Sequence, residues 1–197
     1  MASMSNTTSG QASLPFTGHG EADALLARDP LALLIGFLLD QQVTVQKAFM
    51  GPYELRQRLG SLDAATIAAL DPEALAEAFR ERPALHRFPG SMATRTQELC
   101  AVIARDYDND AGRLWGEARD ARDLHRRLLA LPGIGEMKAR TIVAVLARRL
   151  GIRPTGWEEV VPAHPTLGDV DSAEALASYQ AGKRAHKAAL REKGSGS

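Results

Sequence analysis

The run Leu31-Ala-Leu-Leu-Ile-Gly-Phe-Leu-Leu39 constrains this chain more than any other segment. It is apolar on nearly every face of a helix, so it needs neighbours on all sides. Asp29 and Pro30 precede it as an N-cap and a first helical residue, and Asp40 ends it. It falls well short of the roughly 20 apolar residues a membrane span requires. The run therefore predicts a central helix wrapped by others. Asp71-Pro72 repeats the Asp-Pro start, and further helices are predicted at about 51–60, 63–70, 72–81, 91–107, 121–130, 136–150 and 172–191. Ser91 and Asp120 are natural caps, and Gly151 is a natural stop after Leu150. β-branched residues are sparse and no clean alternation persists, which predicts an all-α bundle. No fixed repeat period points to a solenoid.

The 197 residues suit one domain, or two small lobes sharing a core. Residues 1–18, rich in Ser, Thr and Gly, read as a disordered lead, and 193–197 as a flexible tail. Residues 19–192 then form a single helical domain. Met1 to Gly20 has neither a basic n-region nor an apolar h-region, so a cytoplasmic, non-membrane protein is expected. The lone Cys100 excludes a disulfide framework, a cysteine zinc site and a cysteine-ligated iron–sulfur cluster. His19, His86, His125, His164 and His186 show no metal-ligand spacing, so no metal is expected.

Basic and acidic residues number 24 each, which looks unfavourable for a nucleic-acid partner. Counted by segment, residues 121–153 hold eight bases against two acids, while residues 154–178 hold five acids and no base. Neutrality thus hides a basic block beside an acidic one, and local fields are what steer polyanions. A pair of solvated, arginine-rich helices accounts for the block equally well.

Inside that block lies Leu131-Pro132-Gly133-Ile134-Gly135, between two helical segments. Glycines there permit positive φ and leave amides uncovered, at a helix N-terminus that favours anions. Lys138 and Arg140 in the first turns add positive charge, so the stretch reads as a clamp for backbone phosphate. It follows a helix and has Lys138 where a third glycine would stand, which excludes a dinucleotide-binding fingerprint. A helix–turn–helix corner with glycines serving packing alone is the competing reading.

The hairpin Leu131-Pro-Gly-Ile-Gly135 with Ala139 resembles that of the helix–hairpin–helix DNA glycosylase superfamily, which includes endonuclease III and the alkylated-base glycosylases. Leu38-Leu39-Asp40-Gln41-Gln42-Val43-Thr44-Val45 is similar to the segment from which those enzymes push a Gln or Asn into the gap left by a flipped nucleotide. The resemblance covers roughly residues 28–160 and implies a two-lobed helical bundle with its hairpin motif at about 121–150. In it Gln42 fills the gap with Gln41 as neighbour, and Leu131, Gly133, Ile134, Gly135, Lys138 and Arg140 contact DNA. The activity implied is base excision repair: hydrolysis of the N-glycosidic bond of a flipped, damaged base in double-stranded DNA, by a nucleoid-associated monomer. A monovalent cation at the hairpin is the one cofactor it brings into view.

Base excision develops positive charge on the sugar, which a carboxylate stabilises. The superfamily's aspartate register falls on Thr155 to Trp157 here, and neither residue is acidic. Glu158 is the first candidate, with Trp157 as a pocket wall; Asp169 is the second, Glu159 neighbours the first, and Asp171 is more suited to capping the last helix. Bifunctional members carry a nucleophilic lysine where this chain has Met137; Lys138 is one step on, turned by about 100°. A monofunctional enzyme is therefore expected, and a catalytically inactive DNA binder on the same scaffold is the alternative. Trp115 is expected in the core, Phe88 packed inward at a surface turn, and the basic last helix (Lys183, Arg184, Lys187, Arg191) facing solvent.

Overall fold

The computed structural model describes residues 12–194 and is all-α, with no strand among those residues. Its helices are α1 (Gly20–Arg28), α2 (Pro30–Leu39), α3 (Val45–Leu59), α4 (Ala64–Ala69), α5 (Pro72–Arg80) and α6 (Pro89–Asp106). They continue as α7 (Arg113–Gly116), α8 (Ala121–Leu129), α9 (Glu136–Arg149), α10 (Trp157–Val160) and α11 (Ala173–Gly194), with a 3₁₀ turn at Leu167–Asp169 before α11. No helix among the described residues is long and apolar enough to cross a membrane.

The apolar run becomes the buried axis of the molecule. Every residue of α2 from Leu31 to Leu39 is buried. The Asp29 carboxylate accepts from the Leu31 and Ala32 amides at 2.9 and 3.2 Å, and Asp71 repeats this for Glu73 and Ala74 at 3.0 and 3.1 Å. Glycine brings α3 close: a Cβ on Gly36 would lie 2.5 Å from the Phe49 ring, and one on Gly51 would lie 2.4 Å from Leu39 Cδ1. Phe49 in turn meets Phe37 and Phe16 edge-on, at centroid distances of 5.0 and 5.1 Å.

Several boundaries differ from the sequence reading. Helix α3 starts at Val45, capped by Thr44, and runs through Pro52 rather than beginning beside it. The first turn of α6 opens on Pro89 after Phe88, so Ser91 is inside the helix and not its cap. Ser172, not Asp171, caps α11: its hydroxyl accepts from the Ala175 amide at 3.1 Å. Asp120 and Gly151 do act as cap and stop, with Gly151 at φ +70° after Leu150. The lead is ordered well before residue 18, since Leu14 and Phe16 are fully buried and the Asp23 carboxylate holds the Phe16 and Thr17 amides at 3.2 and 2.9 Å. Residues 1–11 of that lead and 195–197 of the tail lie outside the described residues. Trp115 is half-buried against the core, and Phe88 is 42% exposed instead of packed inward. Cys100 is fully buried, its thiol pushed up to about 12 by that burial, which leaves it a packing residue.

Candidate functional site

The hairpin joins α8 to α9. Leu131 and Ile134 are buried and anchor the turn, while Gly133 and Gly135 are exposed. Gly133 has φ +77°, and a Cβ there would lie 2.2 Å from Leu38 Cδ1. Gly135 is the N-cap of α9 with φ −90°, no side-chain cap bond and nothing within 4 Å of a Cβ position. The amides of Glu136, Met137 and Lys138 have no acceptor among the described residues, at the positive end of a 14-residue helix.

Leu38 brings the two sequence motifs together. Its side chain is the wall against Gly133, and its carbonyl accepts from Gln41 Nε2 at 2.8 Å and Lys138 Nζ at 3.4 Å. These donors satisfy a C-terminal carbonyl of α2, whose negative pole thus meets the start of α9. Gln41 is fully engaged, since Arg95 donates to its Oε1 at 2.9 Å. Gln42 is exposed at φ +56°, the tip of the loop between α2 and α3. The loop is held from below by His86, whose Nε2 bonds the Leu39 and Gln41 carbonyls at 3.1 and 2.9 Å. Its Nδ1 accepts from the Phe88 amide at 3.0 Å, so Nε2 carries the proton of a neutral ring. Burial holds the ring below the ordinary histidine range, which keeps that tautomer at neutral pH. Exposed Phe88 stands beside it, 6.1 Å between ring centroids.

Charge gathers next to this junction. Burial pulls the Lys138 amine down to about 8, against the opposing pull of Asp40. Burial pushes the Asp40 carboxyl above its ordinary range, against Lys183 and Lys138. Tyr179 is half-buried nearby, with Lys183 Nζ 5.3 Å from its ring centroid. Both arrive on α11, which also exchanges side-chain amide hydrogen bonds between Gln46 and Gln180 at 2.7 and 3.3 Å. Burial thus shifts the acid and the amine toward their neutral forms, each opposed by the charge of the other. Asp40 was read from the sequence only as the end of α2, and Tyr179 carried no signal at all. An acid directly before Gln41-Gln42 was the clue available.

Other expected residues stand elsewhere. Asp169 accepts from Arg148 at 2.6 Å and from the Thr166 amide at 2.8 Å, closing a capping box. Glu159 pairs with Arg122 at 2.9 Å, about 10 Å along the α8 axis from its hairpin end. Glu158 is exposed on α10 with no partner among the described residues, and Trp157 is half-buried with the Arg148 guanidinium 6.0 Å from its ring centroid. Arg140 does not reach the hairpin mouth, because it donates to the Val160 and Val161 carbonyls at 2.6 and 3.4 Å.

Most cations of the basic block have partners within the protein. Arg126 and Arg127 converge with Arg119 on the nearly buried Asp123, whose carboxyl is held down to about 2 chiefly by hydrogen bonds from Arg119. Arg153 donates to the Ala147 carbonyl at 3.0 Å, and Arg122, Arg140 and Arg148 are engaged as described. These contacts tie its cations to partners within α8, on α10 and at the 3₁₀ turn, so few are left unpaired. No protein-family model matches the chain, and no curated protein matches it.

Proposed function

We propose that this protein is a monofunctional DNA glycosylase of the helix–hairpin–helix kind, releasing a flipped, damaged base from double-stranded DNA. The observation that carries this reading is the junction at Leu38, where the phosphate-type hairpin packs on the helix end that projects Gln42. One rigid contact fixes the distance between a backbone clamp and a gap-filling side chain, which is what extrusion of a nucleotide requires. The open space beside Gly135 suits a phosphate oxygen on the α9 amides. Phe88 adds an exposed ring that can stack beside the gap. A two-lobed arrangement, monomeric and nucleoid-associated in the cytoplasm, belongs to the same reading.

Of the acids considered, Asp169 is held by Arg148 and Thr166 and Glu159 by Arg122, which leaves Glu158 and Asp171, and the structure adds Asp40. Asp40 shares its loop with Gln42 and is the better placed to stabilise positive charge on a flipped sugar or to orient water. Met137 at the lyase register, 51% exposed, keeps the reaction hydrolytic. The second reading, a DNA binder without catalysis, is favoured by Tyr179 and Lys183, which crowd Asp40 from α11.

Duplexes carrying uracil, alkylated, oxidised or mismatched bases, treated with alkali after incubation, test the proposal. Base release is expected on at least one lesion, lost in Asp40→Asn and retained in Glu158→Gln. The reverse pattern moves the carboxylate to Glu158. Tight duplex binding with no release from any lesion supports the binder, and no duplex binding refutes both.

A further inference from the structure

Helix α11 spans 22 residues yet docks by its first third alone. Among its described side chains Leu176 is the one buried, Ala175, Tyr179 and Gln180 are half-buried with the cap Ser172, and every residue from Ala181 to Arg191 is exposed. At about 100° per residue, Lys183, Arg184, Lys187 and Arg191 fall within an arc of about 100°. That stripe continues the docking face, rotated by about 50°, beyond the Gln180–Gln46 contact with α3, the helix that follows the Gln42 loop. Among the described residues, Arg184, Lys187 and Arg191 make no ion pair or hydrogen bond. They contrast with Arg122, Arg126, Arg127, Arg140 and Arg148 of α8 and α9, which are engaged within the protein.

We infer that the C-terminal half of α11 is a second DNA-contacting element, whose Arg184, Lys187 and Arg191 lie along the duplex phosphate backbone beside the hairpin. The inference rests on the proposed DNA-binding reading of the hairpin and adds the residues that give it charge. From Lys183 to Arg191 the stripe is about 12 Å long, a length of duplex that carries about seven phosphate charges. The complementarity is therefore dense. A lipid surface is a poor match, because such helices need a broad apolar face and Leu190 is the one large apolar side chain exposed here.

The triple variant Arg184→Gln, Lys187→Gln, Arg191→Gln tests this by fluorescence anisotropy on a short duplex across a salt series. These residues are exposed, so helix content by circular dichroism should equal that of the parent protein. If all three contact phosphate, the log–log salt slope falls by about 2.7 and affinity weakens roughly 10- to 100-fold at moderate salt. A control triple, Arg80→Gln, Arg105→Gln, Arg113→Gln, removes the same charge from residues already ion-paired and should leave the slope unchanged. Parental slope and affinity in the α11 triple overturn the inference while the hairpin reading stands. Equal weakening by both triples also overturns it, since net charge alone would then be acting. An effect of the α11 triple confined to self-association or to sedimentation with anionic phospholipid vesicles assigns the stripe elsewhere. Failure of the parent protein to bind duplex removes both readings together.

Discussion

Replacing Gly133 and Gly135 separately by alanine should split stability from binding, because the two glycines serve different purposes. Gly133→Ala places a Cβ 2.2 Å from Leu38 Cδ1 at a φ of +77°. The left-handed backbone costs about 1–2 kcal/mol for an L-residue. Leu38 is fully buried, so its Cδ1 cannot swing into solvent, and overpacking of this kind costs about 1–3 kcal/mol. The sum is roughly 2–5 kcal/mol, or a melting temperature lower by about 5–15 °C for a chain of this size. Gly135→Ala meets neither obstacle, with φ −90° and open space. Its gain of about 0.4–1 kcal/mol from a less flexible unfolded chain roughly offsets the poorer N-cap. If a phosphate fills the open space beside Gly135, as proposed, the added methyl displaces it, and losing charge-assisted bonds worth about 1.5–3 kcal/mol weakens duplex binding on the order of 10- to 100-fold. Thermal melts followed by circular dichroism, with anisotropy titrations on the same preparations, measure both quantities. Adding Leu38→Ala to Gly133→Ala should recover part of the second loss, as the clash then has no partner. Equal melting temperatures for the two alanine variants, or parental DNA affinity in Gly135→Ala, would refute the reasoning.

Lys138→Met should raise the melting temperature at pH 7 and weaken duplex binding. Burial holds the amine at about 8, below its ordinary 10.5, so its charge opposes folding below about pH 8 and that penalty fades as pH rises toward 10.5. The gain, about 1–2 kcal/mol after allowing for partial solvation, should therefore shrink between pH 8 and 10 in a melting series. Gly168→Ala should destabilise by about 2–4 kcal/mol in the same melts, since its Cβ would lie 2.7 Å from the Ala144 carbonyl carbon, where only backbone could move.

What the sequence made legible is local. Asp29-Pro30, Asp71-Pro72 and Asp120 cap their helices through side chains two or three residues from the amides they satisfy. The Gly133 turn and the exposed Gln42 likewise follow from nearest neighbours. The start of α3 was not legible, because Pro52 reads as a first helical residue while Thr44 and the packing of Gly51 on Leu39 begin the helix earlier. The burial of Phe16 depends on the Phe49 ring, distant in sequence. Charge was least legible of all. A count of arginines in 121–153 cannot register that Asp123 gathers Arg126 and Arg127, or that Arg140 binds main-chain carbonyls.

That relocation of charge alters the physics of the proposed DNA contact. A hairpin whose cations are engaged internally grips phosphate through amides, which act at hydrogen-bond range and fix position. Lys138 belongs with them, since its ammonium is drawn in to the Leu38 carbonyl and partly desolvated. Exposed cations on α11 act instead through a field extending about a Debye length, which governs encounter and salt response more than register. Lys183 stands where the two meet, its ammonium on Tyr179 and its charge felt at Asp40. Asp40, two residues before Gln42, is thus bracketed by Lys138 from α9 and Lys183 from α11. In the proposed complex, engagement of both lysines by phosphate would withdraw the positive charge that opposes burial at Asp40 and push its carboxyl further up, so DNA binding would favour the protonated acid.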